Sequence, residues 1–308
     1  MNQKRYHDPM VLQPDSLFSS VGNCGTNQPE EVKKLQRMIM NAGYQQATGR
    51  ELEINGKCAQ DTTEALVWYQ RLLNLSPSGL VGPTDSWFIA ALKEMSPHWR
   101  PRQQNGPLHV REGQITFDAE GHDYLTVVEP FRPHRTPYFS RVLHWPGYSS
   151  GVTLGRGYDM GSRSRGEVYS TLRQACLEKF KAVICSKAAG LKGHQAGQFV
   201  QVYGPMVGEI SHQQQIRLFE IAYREKFDYA RGVYERSTLK IDNPLPWMDV
   251  EKTIREVFID TLYQGNASAK KMSAIMASNG NKEDIIRYLE EDQFHGTTRD
   301  KIRVDYLK

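Results

Sequence analysis

Apolar side chains recur at helical spacing near the start of the chain, where residues 30–44 predict an amphipathic helix. The recurring apolar positions are Val32, Leu35, Ile39 and Ala42. Pro29 suits the first turn of this helix, and Gly43 is a typical stop. The stretch therefore predicts one helix with a single buried face.

Two further helices are predicted within the first hundred residues. An extended segment at Leu52–Gly56 precedes the second helix, which we expect to be capped by Asp61 or Thr62. The third helix is expected around Trp87–Leu92. Because three short amphipathic helices can share one core, the pattern predicts a small helical domain at residues 20–95.

The composition changes on both sides of this domain. Residues 1–19 form an N-terminal extension, and residues 96–112 are polar, rich in Pro and Gly, and typical of a linker. We therefore expect a second domain at residues 113–308. With 308 residues, the chain is long enough for two separate cores.

In the second domain the helical pattern begins after Gly161. The predicted helices are Glu167–Ala189, Gly193–Val202, Ser211–Arg231, Asp249–Tyr263, Ala267–Ser278 and Lys282–Glu291. Ser211 opens its helix with a capping residue, and a Gln follows at the position of a capping box. Before Gly161 an apolar alternation leads to Glu120, and an irregular stretch follows. We therefore predict a mostly α chain whose second domain is α+β, with a small β-hairpin lobe and a helical lobe.

A glycine-rich turn at Gly151–Asp159 is the most informative segment of the chain. Thr153 and Asp159 lie six residues apart, with Gly155 and Gly157 between them. Glycines allow positive φ angles and a sharp reversal, which would bring the hydroxyl and the carboxylate into one cleft. The turn lacks the third glycine and the Gly-Lys-Ser/Thr ending of nucleotide-binding loops, so we do not expect a nucleotide site.

Carboxylates gather in this part of the chain: Glu120, Asp123, Glu129 and Asp159. Cleavage of a glycosidic bond needs a carboxylic acid that protonates the leaving oxygen and a second group that positions or activates water. Thr153 could hold that water. The alternative interpretations are structural: a solvated Glu120 in a turn, a Thr153 bound to its neighbouring strand, and an Asp159 that caps the next helix or pairs with Arg163.

Four residues near the turn are candidates for contacting a sugar: Arg156, Tyr158, His144 and Trp145. Aromatic faces stack on sugar rings, and Arg156 could bind a carboxylate of the substrate. The alternative is that the aromatic residues form a small core under a long loop and that Arg156 braces the hairpin.

Charge and hydropathy exclude several classes of protein. The formal net charge is +4, and no run of Lys or Arg marks a nucleic-acid site. No apolar run approaches the roughly 20 residues that span a bilayer. The N-terminus lacks the apolar segment of a signal peptide, so we expect synthesis in the cytoplasm without one.

The cysteines and histidines do not predict a metal site or a cofactor. Cys24 and Cys58 could pair in an oxidising compartment, although free thiols are the default for these two and for Cys176 and Cys185. The spacings of His109, His122, His134 and His144 match no zinc-ligand set.

The first domain resembles the three-helix peptidoglycan-binding domain of cell-wall hydrolases. The residues that carry the resemblance are Val32, Leu35, Gln36, Asn55–Gly56, Thr62, Ala65–Leu66, Tyr69–Gln70, Gly79–Pro83 and Trp87. The resemblance implies peptidoglycan as a binding partner. The preceding segment, Ser20–Pro29, also looks like the segment that opens such domains in type VI secretion effectors.

The second domain resembles the phage-type lysozymes and, more closely, the muramidase domain of the bacteriocin pesticin. The matching elements are Glu120-Gly121, the hairpin Thr153–Gly157, Asp159 and the late segment Val257–Gly265. The resemblance implies that Glu120 is the general acid, that Asp159 is the second carboxylate and that Thr153 orients water. Glu120 and Thr153 are 33 residues apart, more than in the compact phage enzymes, so Glu129 remains an alternative acid.

Together the two resemblances imply a muramidase that cleaves the bond between N-acetylmuramic acid and N-acetylglucosamine, with no cofactor. The expected setting is an antibacterial type VI effector that acts in the periplasm of a target cell. An immunity protein and a secretion spike protein would then be partners. The alternatives are a phage endolysin of the same activity, a wall amidase or peptidase, and a non-catalytic wall-binding protein.

Overall fold

The fold is described from a computed structural model, over residues 16–95, 108–121, 140–264, 269–278, 281–291 and 298–308. The chain forms two compact units. The first comprises Met1–Arg100, Lys179–Lys187 and Gln198–Gly208, and the second comprises Pro101–Glu178, Ala188–Gly197 and Glu209–Lys308. The predicted domain boundaries at 20–95, 96–112 and 113–308 stay a prediction.

The first unit is a small helical core closed by a two-stranded antiparallel sheet. Its elements from the first hundred residues are β1 (Val21–Gly22), α1 (Pro29–Asn41), α2 (Tyr44–Thr48), α3 (Gln60–Leu72), β2 (Leu80–Val81) and α4 (Ser86–Glu94). The predicted apolar face of α1 is buried, because Val32, Leu35 and Ile39 are each inaccessible to solvent. The mostly α fold with a three-helix first domain is thus confirmed, with one short helix added.

Two buried glutamine side chains hold the loops of this unit. Gln36 accepts hydrogen bonds from the backbone N–H groups of Asn55 and Gly56 and donates to Thr62. Gln70 accepts from the N–H of Gly79 and donates to the carbonyl of Leu80. Each amide satisfies loop groups that would otherwise be buried without partners, which explains why Gln stands at these positions.

One local prediction in this unit is corrected, and one short helix is new. Asp61 and Thr62 do not cap α3, because the helix begins at Gln60 and its N-cap is Ala59. Leu52–Gly56 lies outside the helices and strands, and Gln36 accepts hydrogen bonds from the N–H groups of Asn55 and Gly56; the extended conformation stays a prediction. The short helix α2 was not predicted; Gly43, at φ +88°, ends one helical segment and starts the next.

The second unit combines a short helix, a β-hairpin and a helical lobe. The elements in this part of the chain are α5 (Gln114–Ala119), β3 (Thr153–Leu154), β4 (Tyr158–Asp159), α6 (Arg165–Gln174), α7 (Lys179–Ser186), α8 (His194–Val207), α9 (His212–Thr238), α10 (Lys252–Gln264), α11 (Ala269–Ala277), α12 (Lys282–Glu291) and α13 (Thr298–Leu307). Of these, α7 and the part of α8 from Gln198 onward belong to the first unit. The core lies mainly between α5, α9 and α10, around Phe117, Phe219 and Phe258. None of the described helices has the length and apolar character that a membrane span requires.

Several helix predictions of the second unit are corrected. Glu167–Ala189 is not one helix: α6 ends before Cys176, whose φ of +63° interrupts the helical backbone, and α7 follows. The apolar alternation before Glu120 forms α5, for which no helix was predicted. The last helix, α13, was not predicted. Ser211 does cap α9 through a reciprocal capping box with Gln214, as predicted.

Candidate active site

Glu120 terminates α5 and carries a mostly buried carboxyl group. Its side chain is 19% exposed, and Arg299 Nη1 lies 2.7 Å from its Oε1 atom. The main chain on both sides of Glu120 is fixed by Arg156, whose Nη1 donates to the carbonyls of Phe117 and Gly121 at 2.6 and 2.7 Å. The Glu120 carboxyl therefore has a defined position at the end of a short helix.

The glycine-rich segment forms the predicted hairpin. Thr153 and Asp159 are directly paired across β3 and β4, and Gly155–Gly157 makes the turn. Gly155 and Gly157 have φ angles of +65° and +83°, which residues with a Cβ rarely adopt. The hairpin thus brings the hydroxyl-bearing and carboxylate-bearing residues onto neighbouring strands.

Gly157 is the point at which the hairpin meets the acid. A Cβ at this position would lie 3.1 Å from Glu120 Oε2 and 2.6 Å from the hydroxyl of Tyr263. Tyr263 in turn donates a hydrogen bond to the carbonyl of Arg156 at 3.0 Å. The absence of a side chain at residue 157 therefore lets the turn approach both Glu120 and Tyr263.

Asp159 is exposed, and its two carboxylate oxygens accept hydrogen bonds from backbone N–H groups. Gly151 N lies 3.0 Å from Oδ2, and Gly161 N lies 2.6 Å from Oδ1. Of the alternatives, helix capping is wrong because Ser164 caps α6. The Asp159 carboxylate does not pair with Arg163, which contacts only the backbone carbonyl of Asp159.

Thr153 is buried, and its hydroxyl lies next to the start of the hairpin. Its Oγ1 donates to the carbonyl of Gly151 at 3.3 Å, a long hydrogen bond, while its backbone N–H and carbonyl pair with His144. The backbone pairing satisfies the strand without the side chain. The Thr153 hydroxyl and the Asp159 carboxylate thus both bind the backbone of Gly151, through its carbonyl and its N–H respectively.

A buried ion-pair network surrounds Glu120. Arg299 binds Glu120 through Nη1 and Asp260 through its other two nitrogens, and Arg303 also binds Asp260. Burial raises the pKa of Asp260, but hydrogen bonds and charges from Arg299 and Arg303 outweigh it and hold that pKa below its ordinary value. Asp260 therefore remains a carboxylate and neutralises much of the charge on Arg299.

The pKa of Glu120 is raised above its ordinary value. Burial is the main cause, and the charge of Asp260 acts in the same direction, whereas Arg299 opposes both. Because Arg299 is shared with Asp260, it does not cancel the effect of burial. Glu120 thus combines a raised pKa with a fixed position, as a general acid requires.

Sequence reasoning missed Arg299 as a neighbour of Glu120. The late segment Val257–Gly265 had been singled out, and it does supply Asp260 and Tyr263 to this cluster. No helix was predicted for Arg299, which lies 179 residues from Glu120 in the sequence. The sequence shows that an arginine lies at residue 299, but no motif or fixed spacing links it to Glu120.

The four candidate sugar contacts occupy different environments. Arg156 is 5% exposed, stacks on Phe117 at 4.2 Å and braces α5, so its guanidinium faces protein atoms. Tyr158 is also buried, and Arg163 lies over its ring. His144 is half-buried beside Thr153, and its Nδ1 lies 3.0 Å from the carbonyl of Val142.

Trp145 packs against helix α8. Its ring lies 2.8 Å from the position that a Cβ on Gly197 would occupy, and its indole Nε1 is buried without a hydrogen-bond partner among the described residues. The indole is therefore partly core, as the alternative interpretation proposed.

Several candidate residues lie outside the described residues: His122, Asp123, Glu129 and His134. The described ranges contain no group of three or more His, Cys, Asp or Glu that could hold a metal ion. Cys24, Cys58, Cys176 and Cys185 are free thiols. The described site offers the carboxyl groups of Glu120 and Asp159 and the hydroxyl of Thr153.

Two families match the chain. The model described as "Domain of unknown function (DUF8812)" matches residues 113–302, which is more than half of the chain. The model described as "Putative peptidoglycan binding domain" matches residues 28–84 and so supports the assignment of the first domain. No curated protein matches the chain.

Proposed function

The chain belongs to the DUF8812 family and carries a peptidoglycan-binding domain, and from this premise we propose that it is a peptidoglycan muramidase. One observation carries the proposal: the mostly buried carboxyl of Glu120, with a raised pKa, adjoins the turn of a hairpin that pairs Thr153 with Asp159. The binding domain accounts for association with the cell wall. The hydrolytic reaction is the proposed step.

In this proposal Glu120 is the general acid. Its proton passes to the glycosidic oxygen as the bond between that oxygen and the anomeric carbon breaks. Water attacks the anomeric carbon from the opposite face and forms the new carbon–oxygen bond. Thr153 orients the water through its hydroxyl, and the Asp159 carboxylate accepts the proton that the water releases.

The resemblance to the phage-type lysozymes, which invert configuration, supports an inverting reaction. Glu120 Oε2 adjoins Gly157 in the turn, and Asp159 lies on β4 two residues later. Inverting glycosidases need roughly 6.5–9.5 Å between their carboxyl groups, because a water molecule must fit between them. The exposure of Asp159 leaves its carboxylate open to substrate and water.

Digestion of purified sacculi tests the reaction. The enzyme variants are Glu120→Gln, Asp159→Asn, Glu129→Gln and the matched control Asp118→Asn, which alters an exposed carboxylate on the same short helix as Glu120. Mass spectrometry should identify muropeptides with reducing muramic acid ends from wild type and from Asp118→Asn. Glu120→Gln and Asp159→Asn should lower the yield by at least about a hundredfold.

Each other outcome has a definite meaning. Loss of activity in Glu129→Gln, with Glu120→Gln active, would support the same reaction but assign the general acid to Glu129. Products with anhydro-muramic acid ends would show that the enzyme is a transglycosylase and not a hydrolase. Free stem peptides, or binding to sacculi with no released products, would refute the muramidase and favour an amidase, a peptidase or a non-catalytic wall protein.

We propose an antibacterial type VI effector as the biological setting, on the resemblance of Ser20–Pro29 alone. A secretion spike protein and a cognate immunity protein are then the expected partners. Expression with an added periplasmic leader should lyse Gram-negative host cells, whereas expression without the added leader should not. If cells lyse only when a holin is supplied together with the protein that has no added leader, the setting is that of a phage endolysin.

A further inference from the structure

We propose that a cleft in the first compact unit binds the glycan strand of peptidoglycan, and that Tyr203 on α8 completes it. The cleft has a volume of about 680 Å³, which falls in the range of ligand sites in proteins. Its principal lining residues are Tyr44, Arg50, Trp68, Arg71 and Tyr203. The inference concerns binding, so it does not depend on the reaction proposed above.

Trp68 supplies a flat surface in this cleft. Its side chain is partly exposed on α3, and its ring is held edge-on by Tyr44, at 5.8 Å between ring centroids, and by Tyr69, at 4.8 Å. Tyr69 is fully buried, so the support on that side is rigid. A rigid, partly exposed aromatic ring can stack on the apolar face of a sugar at little cost in side-chain entropy.

Tyr203 brings a second aromatic ring from a distant part of the sequence. It is partly exposed near the C-terminal end of α8 and packs against Phe199, with the ring centroids 4.6 Å apart. Val202 and Tyr203 belong to the same compact unit as Trp68. They lie outside residues 28–84, so the family match alone does not include this part of the cleft.

The charges of the cleft suit a strand that carries acidic stem peptides. Arg50 pairs with Glu64 at 3.1 Å, which neutralises one cation. Arg71 is exposed, and no carboxylate among the residues that the structure covers pairs with its guanidinium. The cleft therefore keeps one uncompensated positive charge beside two aromatic rings, which matches sugar rings bearing peptide carboxylates.

Co-sedimentation of the full chain with sacculi tests the aromatic part of the cleft. All proteins carry Glu120→Gln, so that the polymer stays intact. Trp68→Ala and Tyr203→Ala should each weaken the apparent Kd by about tenfold, the effect expected for a central aromatic contact. Tyr203→Phe keeps the ring and should bind as the parent does. Phe18→Ala, which removes an exposed ring elsewhere in the same unit, is the matched control.

A second comparison tests the charge. Arg71→Ala should weaken binding to intact sacculi severalfold but leave binding to glycan strands without stem peptides unchanged, whereas Arg37→Ala should change neither. If folded Tyr203→Ala binds sacculi with the Kd of the parent, α8 does not contribute to the binding site. If Trp68→Ala also binds with that Kd, the cleft is not the glycan-binding site. The reaction is measured separately, as the release of reducing ends from soluble muropeptide oligomers by proteins that keep Glu120. Failure of the binding proposal can therefore be told apart from failure of the proposed reaction.

Discussion

Arg299 Nη1 lies 2.7 Å from Glu120 Oε1, although the two residues are 179 positions apart. The same guanidinium uses its remaining nitrogens on Asp260. Glu120 therefore faces a cation whose charge is already largely balanced. This arrangement fixes the orientation of the Glu120 carboxyl while burial keeps its pKa raised.

The pair predicts a shift in the pH dependence of catalysis. A general acid must be protonated, so activity falls as the pH rises through its pKa. Arg299 lowers the pKa of Glu120, and Arg299→Gln removes that effect while the Asp260 charge remains. We expect the alkaline limb of kcat/KM to move to higher pH in Arg299→Gln, with kcat/KM lowered about tenfold because the acid is less well oriented.

The control for this shift is Arg287→Gln, which changes an exposed arginine on α12. Its profile should superimpose on that of wild type. An alkaline limb that stays in place, or moves to lower pH, in Arg299→Gln would contradict control of the Glu120 pKa by Arg299.

Gly157 gives a second prediction. Gly157→Ala would introduce a Cβ that lies 2.6 Å from the Tyr263 hydroxyl at a φ angle of +83°. We expect a loss of roughly 1–3 kcal/mol in the free energy of unfolding, because both strain and steric overlap oppose the substitution. Activity should fall by more than the folded fraction explains, since Glu120 Oε2 is the next neighbour.

Urea unfolding and rate measurements on the same preparations check this result. The matched control is Gly166→Ala on α6, where a Cβ would meet no atom within 4 Å and a helix favours alanine. That variant should keep its activity and gain up to about 1 kcal/mol of stability. Equal behaviour of the two variants would mean that the turn does not need glycine at residue 157.

Much of the fold could be predicted from local pattern. α12 was predicted with the bounds that the structure has, and the capping box of Ser211 was visible in four consecutive residues. α13 could not be predicted in the same way, because it buries Asp300 and Arg303 and so lacks a regular apolar period. The break at Cys176 was hidden because nothing in its residue type indicates a positive φ.

The same division applies to the site. Thr153, Asp159 and the two glycines lie within one short segment, so their pairing follows from local turn chemistry. The ion pairs of Arg299 depend on tertiary packing between α5, α10 and α13, which a single sequence does not encode at any fixed spacing. Sequence reasoning therefore found the hairpin and missed the network behind the acid.

A third prediction concerns the stability cost of the acid. A carboxyl whose pKa is raised by folding contributes stability at low pH and loses that contribution as the pH rises through its folded pKa. Glu120→Gln removes the ionisation and keeps an oxygen acceptor for Arg299. We expect this variant to exceed wild type by about 1 kcal/mol in free energy of unfolding at pH 7, and the difference to shrink towards pH 4.

Urea titrations at both pH values measure that difference. Asp118→Asn, which alters an exposed carboxylate, should show no comparable change. A Glu120→Gln variant that is less stable than wild type at pH 7 would mean that the ion pair with Arg299 outweighs the cost of burial.

His144 yields a prediction of the opposite sign. Burial lowers the pKa of its imidazole to about 4, against weaker opposing effects from the Val142 carbonyl and the Asp159 charge. Its Nδ1 lies 3.0 Å from that carbonyl, so the neutral ring donates its proton there. Between the unfolded pKa of about 6.5 and pH 4 the unfolded chain binds a proton that the folded chain does not.

Stability should therefore fall as the pH falls through this range, and His144 should cause part of the loss. Between pH 7.5 and 4.5 we expect wild type to lose about 2 kcal/mol more than His144→Gln, a value below the full shift because the ring is only half-buried. His109→Gln, at an exposed histidine, should lose as much as wild type. Urea unfolding at the two pH values decides the matter, since equal losses in wild type and His144→Gln would show that His144 titrates as it does in the unfolded chain.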